Sequence, residues 1–204
     1  MPSPWAGGNE ARLPVPQVLV ATDVPFWRQQ KGSQQRIHAL LTELGRHHAV
    51  TVAYLGLERP GPLPAGVALV RVSRHGPLGT LAWSLYGALP AWLQQAVVRA
   101  AGALRVQRPL ASFRSPRALE KFRALWAAGE FRAVLVEYVW HAYLAEAVDR
   151  RRSLLVLDTH DVFHRRLADY ARHGVTPDKT LTRDEELAAY GAFDRLVASQ
   201  PVER

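Results

Sequence analysis

The residues that most constrain this chain lie between positions 17 and 55, where they read as strand, loop, helix and strand. Residues 17–21 form a short apolar run typical of a buried parallel strand, and residues 50–55 form a second one. Between them, Gly32 breaks the chain and Ser33 is predicted as the N-cap of a helix. This order places the loop and the helix start at the carboxyl edge of a parallel sheet, where α/β proteins bind ligands.

The helix between these two strands has one apolar face. Ile37, Leu40, Leu41 and Leu44 are spaced at i, i+3, i+4 and i+7. The start of such a helix offers free N–H groups and the positive end of its dipole to an anion. Arg36 lies in its first turns, and we expect it to contact an anionic ligand. The alternative is that Arg36 is an ordinary solvated helix residue.

Short apolar runs recur along the rest of the chain and predict four more strands, at residues 67–72, 133–136, 154–157 and 196–198. Segments with helical periodicity lie between most of them. This alternation predicts an α/β fold, with a doubly wound, mostly parallel Rossmann-like sheet and helices on both faces. The unbroken apolar character of the runs at 133–136 and 154–157 favours central positions in the sheet.

Three of the intervening helices can be delimited from the sequence. Ser115 is a predicted N-cap for a helix that runs to Ala128. Thr182 begins another helix, with Glu185 at its third position as a capping-box partner. A further helix is predicted from about residue 143 to 150.

Composition and charge set the class of protein. Hydrophobic residues make up 48% of the 204-residue chain and charged residues 22%, which indicates a folded protein. We expect residues 1–15 to be a flexible lead-in and residues 16–204 to form one domain. There is no cysteine, and no secretory signal is recognisable, so we expect a cytoplasmic protein. The net charge of +8 favours anionic partners.

Residues 77–98 carry no charge and are long enough to span a bilayer, but Pro90 and several glycines and glutamines disfavour a transmembrane helix. Two interpretations remain open, core packing or a helix lying in a membrane interface. A basic cluster follows: Arg99, Arg105, Arg108, Arg114, Arg117, Lys121 and Arg123. It is either a solvated face or a contact with an anionic membrane, which would make the protein peripheral at the inner face.

The strongest candidate for chemistry follows the run at 154–157, where Asp158, Thr159, His160 and Asp161 stand at the carboxyl end of a predicted strand. The structural alternative is that the two aspartates cap the next helix and His160 is only a hydrogen-bonding partner. With His164, these residues also include types that bind metals. No second cluster with ligand spacing occurs in the sequence, so no metal site is predicted.

A second candidate patch follows the run at 133–136. Glu137, Tyr138, Trp140 and His141 combine polar and aromatic side chains. Aromatic faces suit packing against sugars or lipids. The alternative is a helix-entry loop that merely exposes aromatic residues.

Several of these segments together carry a family resemblance. VPF (24–26), KG (31–32), QRI (35–37), HAVTV (48–52), THD (159–161) and FDRLVAS (193–199) occur in this order. They resemble motifs in the N-terminal domain of retaining GT-B glycosyltransferases of group 1, a family 4-like type. Only Gly32 stands where many members have a double glycine. The resemblance covers nearly the whole chain.

The resemblance implies the acceptor-side domain of an enzyme that transfers a sugar from a nucleotide-sugar donor to a glycan or lipid-linked acceptor. It places His160 near the reacting centre as the catalytic candidate. The other candidates bind substrate: Gly32, Ser33, Arg36, Glu137, Tyr138, His141, Thr159 and Asp161. No cofactor or metal is implied, and the nucleotide-sugar is a substrate. The family's C-terminal donor domain is missing from this sequence, so we expect the chain to be inactive alone.

Functions of other classes remain to be weighed. A binding or regulatory module that kept the fold without catalysis is the main alternative. A dinucleotide-dependent oxidoreductase is disfavoured because the loop after residues 17–21 has no G-x-G-x-x-G. Nucleic-acid binding would rest on charge alone, and we do not expect it.

Overall fold

The computed structural model describes residues 16–73, 85–86, 88–90, 92–93, 96, 108–175, 177 and 179–198. Several predictions lie outside these residues: the flexible lead-in at 1–15, most of the uncharged segment 77–98, Arg99, Arg105, and the residues after 198. Among the described residues, no helix has the length and apolar character needed to cross a membrane.

A six-stranded sheet forms the centre of the molecule, and every strand pair in it is parallel. Its strands are β1 (Gln17–Thr22), β2 (Ala49–Tyr54), β3 (Val67–Arg71), β5 (Phe131–Glu137), β6 (Leu154–His160) and β8 (Arg195–Ala198). The spatial order is β3-β2-β1-β5-β6-β8. Counted within this sheet alone, that is 3-2-1-4-5-6, the order of a doubly wound Rossmann fold. The predicted α/β fold is therefore confirmed.

The α-helices with described bounds that cover the strands are α1 (Gly32–His47), α2 (Pro116–Ala128), α3 (Phe163–Arg172) and α4 (Arg183–Tyr190). In the described part of the chain, 3-10 segments occupy Phe26–Arg28, Leu110–Phe113 and Val139–Ala147. Two short strands, β4 (Arg108–Pro109) and β7 (Lys179–Thr180), pair in parallel apart from the main sheet. Nothing in the sequence pattern predicted this small pair, because two residues are too few to show a period.

The alternation of side chains along each strand divides the core in two. Val18 and Val20 of β1 pack with Ile37 and Leu41 of α1 on one face of the sheet. Leu19, the residue between those two valines, packs on the other face in the cluster that contains α2. Successive strand residues point to opposite faces, so both faces are buried. The sheet is thus covered on both sides, as the sequence predicted.

The capping predictions for α2 and α4 are confirmed. Ser115 Oγ accepts the Ala118 N–H at 3.3 Å. Thr182 and Glu185 form a reciprocal capping box, in which the Glu185 N–H bonds Thr182 Oγ1 at 3.2 Å and Glu185 Oε2 accepts the Thr182 N–H at 2.8 Å. Both helices therefore begin where their side chains satisfy free N–H groups.

The predicted N-cap of α1 is wrong by two residues. α1 begins at Gly32, and Lys31 holds the N-cap position. The Gln34 side-chain oxygen accepts the N–H groups of Gln30 and Lys31 at 2.8 and 3.1 Å, which stabilises this earlier start. Ser33 therefore lies inside the first turn, where its hydroxyl bonds the side chain of Tyr138.

The helix predicted at 143–150 is also wrong. The structure has a 3-10 segment at Val139–Ala147, and Val148 is already extended. The segment starts directly after β5 and buries Val139, Trp140 and His141 in succession. Residues buried on several sides show no 3.6-residue period, which explains why the pattern misplaced this element.

Candidate functional site

The candidate site lies at the carboxyl ends of β5 and β6, which are neighbours in the sheet. Glu137, the last residue of β5, pairs in register with Asp158 of β6, and His160 ends β6 two residues later. β1 lies on the other side of β5, and the strand order reverses at this point. Ligands of doubly wound proteins bind at such a reversal.

Glu137 and His160 form a buried pair. His160 Nε2 lies 2.5 Å from Glu137 Oε2, and the two side chains are 8% and 0% exposed. The second carboxylate oxygen, Oε1, is buried and has no hydrogen-bond partner among the described residues. Burial raises the pKa of Glu137 above its ordinary range, the hydrogen bond from His160 opposes that shift, and the charge of Asp158 adds to it.

A second ion pair supports the first. Arg36 Nη2 lies 2.8 and 2.6 Å from the two carboxylate oxygens of Asp158, whose side chain is 3% exposed. Asp158 Oδ1 also accepts the backbone N–H of His160 at 3.1 Å. Arg36 was expected to contact an anionic ligand, but its partner in the structure is the carboxylate of Asp158. Arg36, Asp158, His160 and Glu137 form one continuous polar network.

The backbone at this site is strained at two positions. Tyr138 has φ 69° and His160 has φ 59°, values that non-glycine residues rarely adopt. Their rings stack with centroids 4.1 Å apart and planes 9° apart. Burial raises the pKa of Tyr138, which its hydrogen bond with Ser33 partly offsets. Such strain persists only where neighbouring contacts fix the conformation, and it concentrates at functional sites.

His141 brings the end of a third strand into the site. Its side chain is 2% exposed, and Nε2 lies 3.2 Å from Oδ1 of Asp23, the residue after β1. Its Nδ1 is buried without a hydrogen-bond partner among the described residues. Asp23 was missed by the sequence reasoning, although it follows an apolar strand by the same rule that singled out Glu137 and Asp158.

The remaining candidates lie further from this network. Thr159 Oγ1 donates to the Val197 carbonyl at 3.3 Å and so faces β8. Asp161 forms a close ion pair with Arg166. Among the described residues, no atom lies within 4 Å of the position a Cβ on Gly32 would take, so they leave the start of α1 open on that side.

A cleft of about 480 Å³ lies in front of the network. Its walls include Asp23, Ser33 and Tyr138 on one side, and Phe163 and Arg166 at the start of α3. The volume is within the range of small-molecule sites. Tyr138 lines this cleft and stacks on His160, whereas His160 and Glu137 are not among the lining residues.

Glu186 orients the wall formed by α3. Its side chain is fully buried and accepts the N–H groups of Phe163 and His164 at 2.8 and 2.9 Å. It also contacts Nδ1 of His164 at 2.6 Å and accepts the Tyr190 hydroxyl at 2.5 Å. The capping of α3 by a glutamate of α4 gives no sequence signal, because Glu186 meets Phe163 and His164 only in the folded chain.

Glu137, Asp158 and His160 are also the residues that could hold a metal ion, since one donor atom of each lies within 4.8 Å of the others. Two carboxylates and an imidazole are suitable ligands for a divalent cation. Here the Arg36 guanidinium lies on both oxygens of Asp158, and His160 Nε2 is bonded to Glu137. Metal binding would have to displace both contacts.

Neither a family model, nor a curated protein, nor a solved structure matches this chain.

Proposed function

We propose that this chain is the acceptor-side domain of a GT-B glycosyltransferase. The observation that carries the proposal is the buried Glu137–His160 pair at the carboxyl ends of β5 and β6. It lies next to the reversal of strand order between β1 and β5, behind an open cleft with an aromatic wall. His160 is the residue that the resemblance puts near the reacting sugar. The sheet order and the position of the cleft are those expected of such a domain.

In the proposed reaction, Tyr138 presents its ring to the acceptor in the cleft. His160 holds that ring from behind, and Glu137 and Asp158 fix His160 through its side chain and its backbone N–H. An aromatic face next to hydroxyl and carboxylate groups, Ser33 and Asp23, suits a sugar or another polyhydroxylated acceptor. The domain contributes position and electrostatics, which can account for large rate effects without covalent chemistry.

The nucleotide-sugar in this proposal binds mainly to a second domain, as the resemblance implies. In this proposal the chain alone is inactive. The enzyme acts in the cytoplasm or at the inner face of a membrane, where the net charge of +8 on this chain favours anionic surfaces.

Two binding measurements on the 204-residue chain test this proposal. Calorimetry with a panel of nucleotide-sugars should show no micromolar binding. Saturation-transfer NMR with mono- and oligosaccharide acceptors should show contact that is lost in Tyr138→Ala. Micromolar affinity for a nucleotide-sugar, or saccharide contact that Tyr138→Ala leaves intact, would contradict the proposal.

A paired measurement tests the role of His160. When this domain is joined to a donor-binding domain, His160→Ala should lower kcat strongly while the isolated domain stays folded. Turnover near the wild-type value together with a melting temperature lower by several degrees would make His160 purely structural. That result would favour the alternative, a non-catalytic binding module with the same fold.

A further inference from the structure

Two cavities lie side by side at this edge of the molecule. The cleft of about 480 Å³ and a groove of about 590 Å³ share Trp140 as a wall residue. We propose that together they bind one amphiphile, with a phosphate-bearing headgroup in the cleft and an apolar chain in the groove. The inference rests on the proposed function, since it names the class of the acceptor as a lipid phosphate.

The cleft is rich in cations that a phosphate would pair with. Lys31, Arg166 and Lys179 all line it. Lys179 Nζ lies 4.8 Å from the centroid of the Trp140 ring and 5.7 Å from that of Phe113, so it is held on an aromatic surface. Within the described ranges, neither lysine has a carboxylate at ion-pair distance.

The acidic groups at the cleft do not cancel this charge. Asp161 is paired with Arg166, whose Nε also donates to the Tyr170 hydroxyl at 2.9 Å. Asp23 lies beside His141. Three cations and one carboxylate, that of Asp23, line the cleft. This local positive excess attracts a phosphate and is screened by salt.

The groove has the opposite character. Alanines from α4 and from the 3-10 segment Val139–Ala147 line it, and the fully buried Val139 forms part of its wall. Its charged residues include Arg114 and Glu146, which pair with each other and are about half exposed, 46% and 48%. Glu185 lines the groove as well, but most of its wall is apolar, with alanine, leucine, valine and aromatic side chains. Such a wall suits an alkyl or prenyl chain, because burial of each methylene group is favourable.

The backbone explains why the two cavities are adjacent. Tyr138 lines the cleft, the next residue Val139 lines the groove, and Trp140 lines both. The 3-10 segment Leu110–Phe113 does the same, with Leu110 in the groove and Phe113 in the cleft. In the proposed complex the phosphate lies beside Lys179, and the chain passes Trp140 to lie among the alanines.

The test uses dihexanoyl phosphatidic acid, kept below its micellar concentration, as the probe for the 204-residue chain. Glycerol 3-phosphate is the headgroup control, and dihexanoylglycerol has the same chains without the phosphate. By calorimetry, we expect phosphatidic acid to bind about tenfold or more tightly than either control, since each lacks one half of the recognised chemistry. Equal affinities for phosphatidic acid and glycerol 3-phosphate would exclude the groove, and equal affinities for the two lipids would exclude the cation site.

Matched variants separate the two cavities. Lys179→Gln should weaken binding of phosphatidic acid and of glycerol 3-phosphate alike, by about threefold, whereas Lys121→Gln on the exposed face of α2 should change neither. Ala188→Trp should block the groove and weaken only the lipid, whereas Leu187→Trp, exposed on the same helix but outside the groove, should not. If each variant equals its control, the inference is wrong.

These outcomes are independent of sugar transfer. If saccharides bind in a Tyr138-dependent manner and phosphatidic acid does not bind, the lipid phosphate is wrong and the proposed function stands. If phosphatidic acid binds as described but nucleotide-sugars also bind with micromolar affinity, the proposed function fails and the amphiphile site remains.

Discussion

Tyr138 and His160 stack ring on ring at 4.1 Å, and both adopt positive φ angles at the ends of neighbouring strands. Two strained residues thus fix each other's side chains at the site. His160 is further held by Glu137 through its ring and by Asp158 through its backbone. The polar network compensates for the backbone strain, which ties the stability of this edge of the sheet to the geometry of the cleft.

The backbone strain at His160 predicts that glycine is more stabilising than alanine at this position, the reverse of the order in a helix. His160→Gly and His160→Ala both remove the ring and its contacts with Glu137 and Tyr138. Glycine adopts φ near 59° without cost, so His160→Gly should be more stable than His160→Ala by about 1 kcal/mol. Urea unfolding of the two variants measures this difference.

The same pair of substitutions at a helical position provides the control. Ala124 is exposed inside α2, where Ala124→Gly should cost about 1 kcal/mol. The sign of the Gly–Ala difference should therefore reverse between the two positions. If the His160→Ala protein is as stable as the His160→Gly protein, or more stable, the backbone at position 160 is not strained.

The buried Glu137 predicts a pH dependence of stability. Burial raises its pKa in the folded chain above the ordinary value of 4.5, so the folded state holds the proton more tightly than the unfolded state. This favourable contribution is full below pH 4.5 and is lost as the pH rises through the folded-state pKa. Glu137→Gln should remove it, and the free energy of unfolding of the wild type should fall relative to the variant over that window.

Glu185 has the opposite shift and serves as the matched control. Hydrogen bonds from the backbone and hydroxyl of Thr182 lower its pKa from 4.5, so its contribution is present above pH 4.5 and is lost as the pH falls. Relative to Glu185→Gln, the free energy of unfolding of the wild type should therefore fall as the pH is lowered below 4.5, the opposite of the direction expected for Glu137. Profiles that shift in the same direction for both variants would contradict the assignment of Glu137.

The strands and the edge at which the site assembles follow from the sequence. Buried parallel strands are short apolar runs, and parallel strands bring their carboxyl ends together, so Glu137 and His160 are expected at one edge. The pairing of Arg36 with Asp158 is harder to predict from the sequence. The two residues are 122 positions apart and meet only after α1 has packed on the sheet.

Other features leave no pattern to detect. The positive φ angles of Tyr138 and His160 occur at residue types that normally avoid them, and only the folded contacts impose them. The 3-10 segment Val139–Ala147 is buried on several sides and lacks a period. Lys179 reaches the cleft through the two-residue strand β7, which is too short to predict.

Gly66 is predicted to be irreplaceable in the turn before β3. Its φ is 76°, and a Cβ there would lie 2.4 Å from the carbonyl oxygen of Gly45 in α1. Gly66→Ala should therefore destabilise the fold by about 2–4 kcal/mol, from backbone strain and a clash with main-chain atoms. Gly174 has φ 70°, but no atom of the described residues lies within 4 Å of its Cβ position, so Gly174→Ala should cost only about 1 kcal/mol. Equal losses in thermal unfolding would mean that α1 moves to accommodate the methyl group.

A buried hydrogen-bond chain connects α2 to β5 through Ser153. Trp126 Nε1 donates to Ser153 Oγ at 3.0 Å, and Ser153 Oγ donates to the Phe131 carbonyl at 2.6 Å. Ser153→Ala removes the acceptor of the buried indole N–H and one donor to the Phe131 carbonyl, and should cost about 1–3 kcal/mol. Ser112→Ala removes an exposed bond from the hydroxyl to the Pro109 carbonyl and should cost no more than about 0.5 kcal/mol.

A double-mutant cycle separates the unsatisfied donor from the lost packing. Once Trp126→Phe has removed the indole N–H, Ser153→Ala should cost less than it does in the wild-type chain, because only the bond from Ser153 to the Phe131 carbonyl is then lost. Chemical unfolding of the four proteins gives the coupling energy, expected at about 0.5–2 kcal/mol. Strict additivity would mean that water satisfies the Trp126 N–H when Ser153 is absent, and that the hydrogen bond contributes little to the attachment of α2 to the sheet.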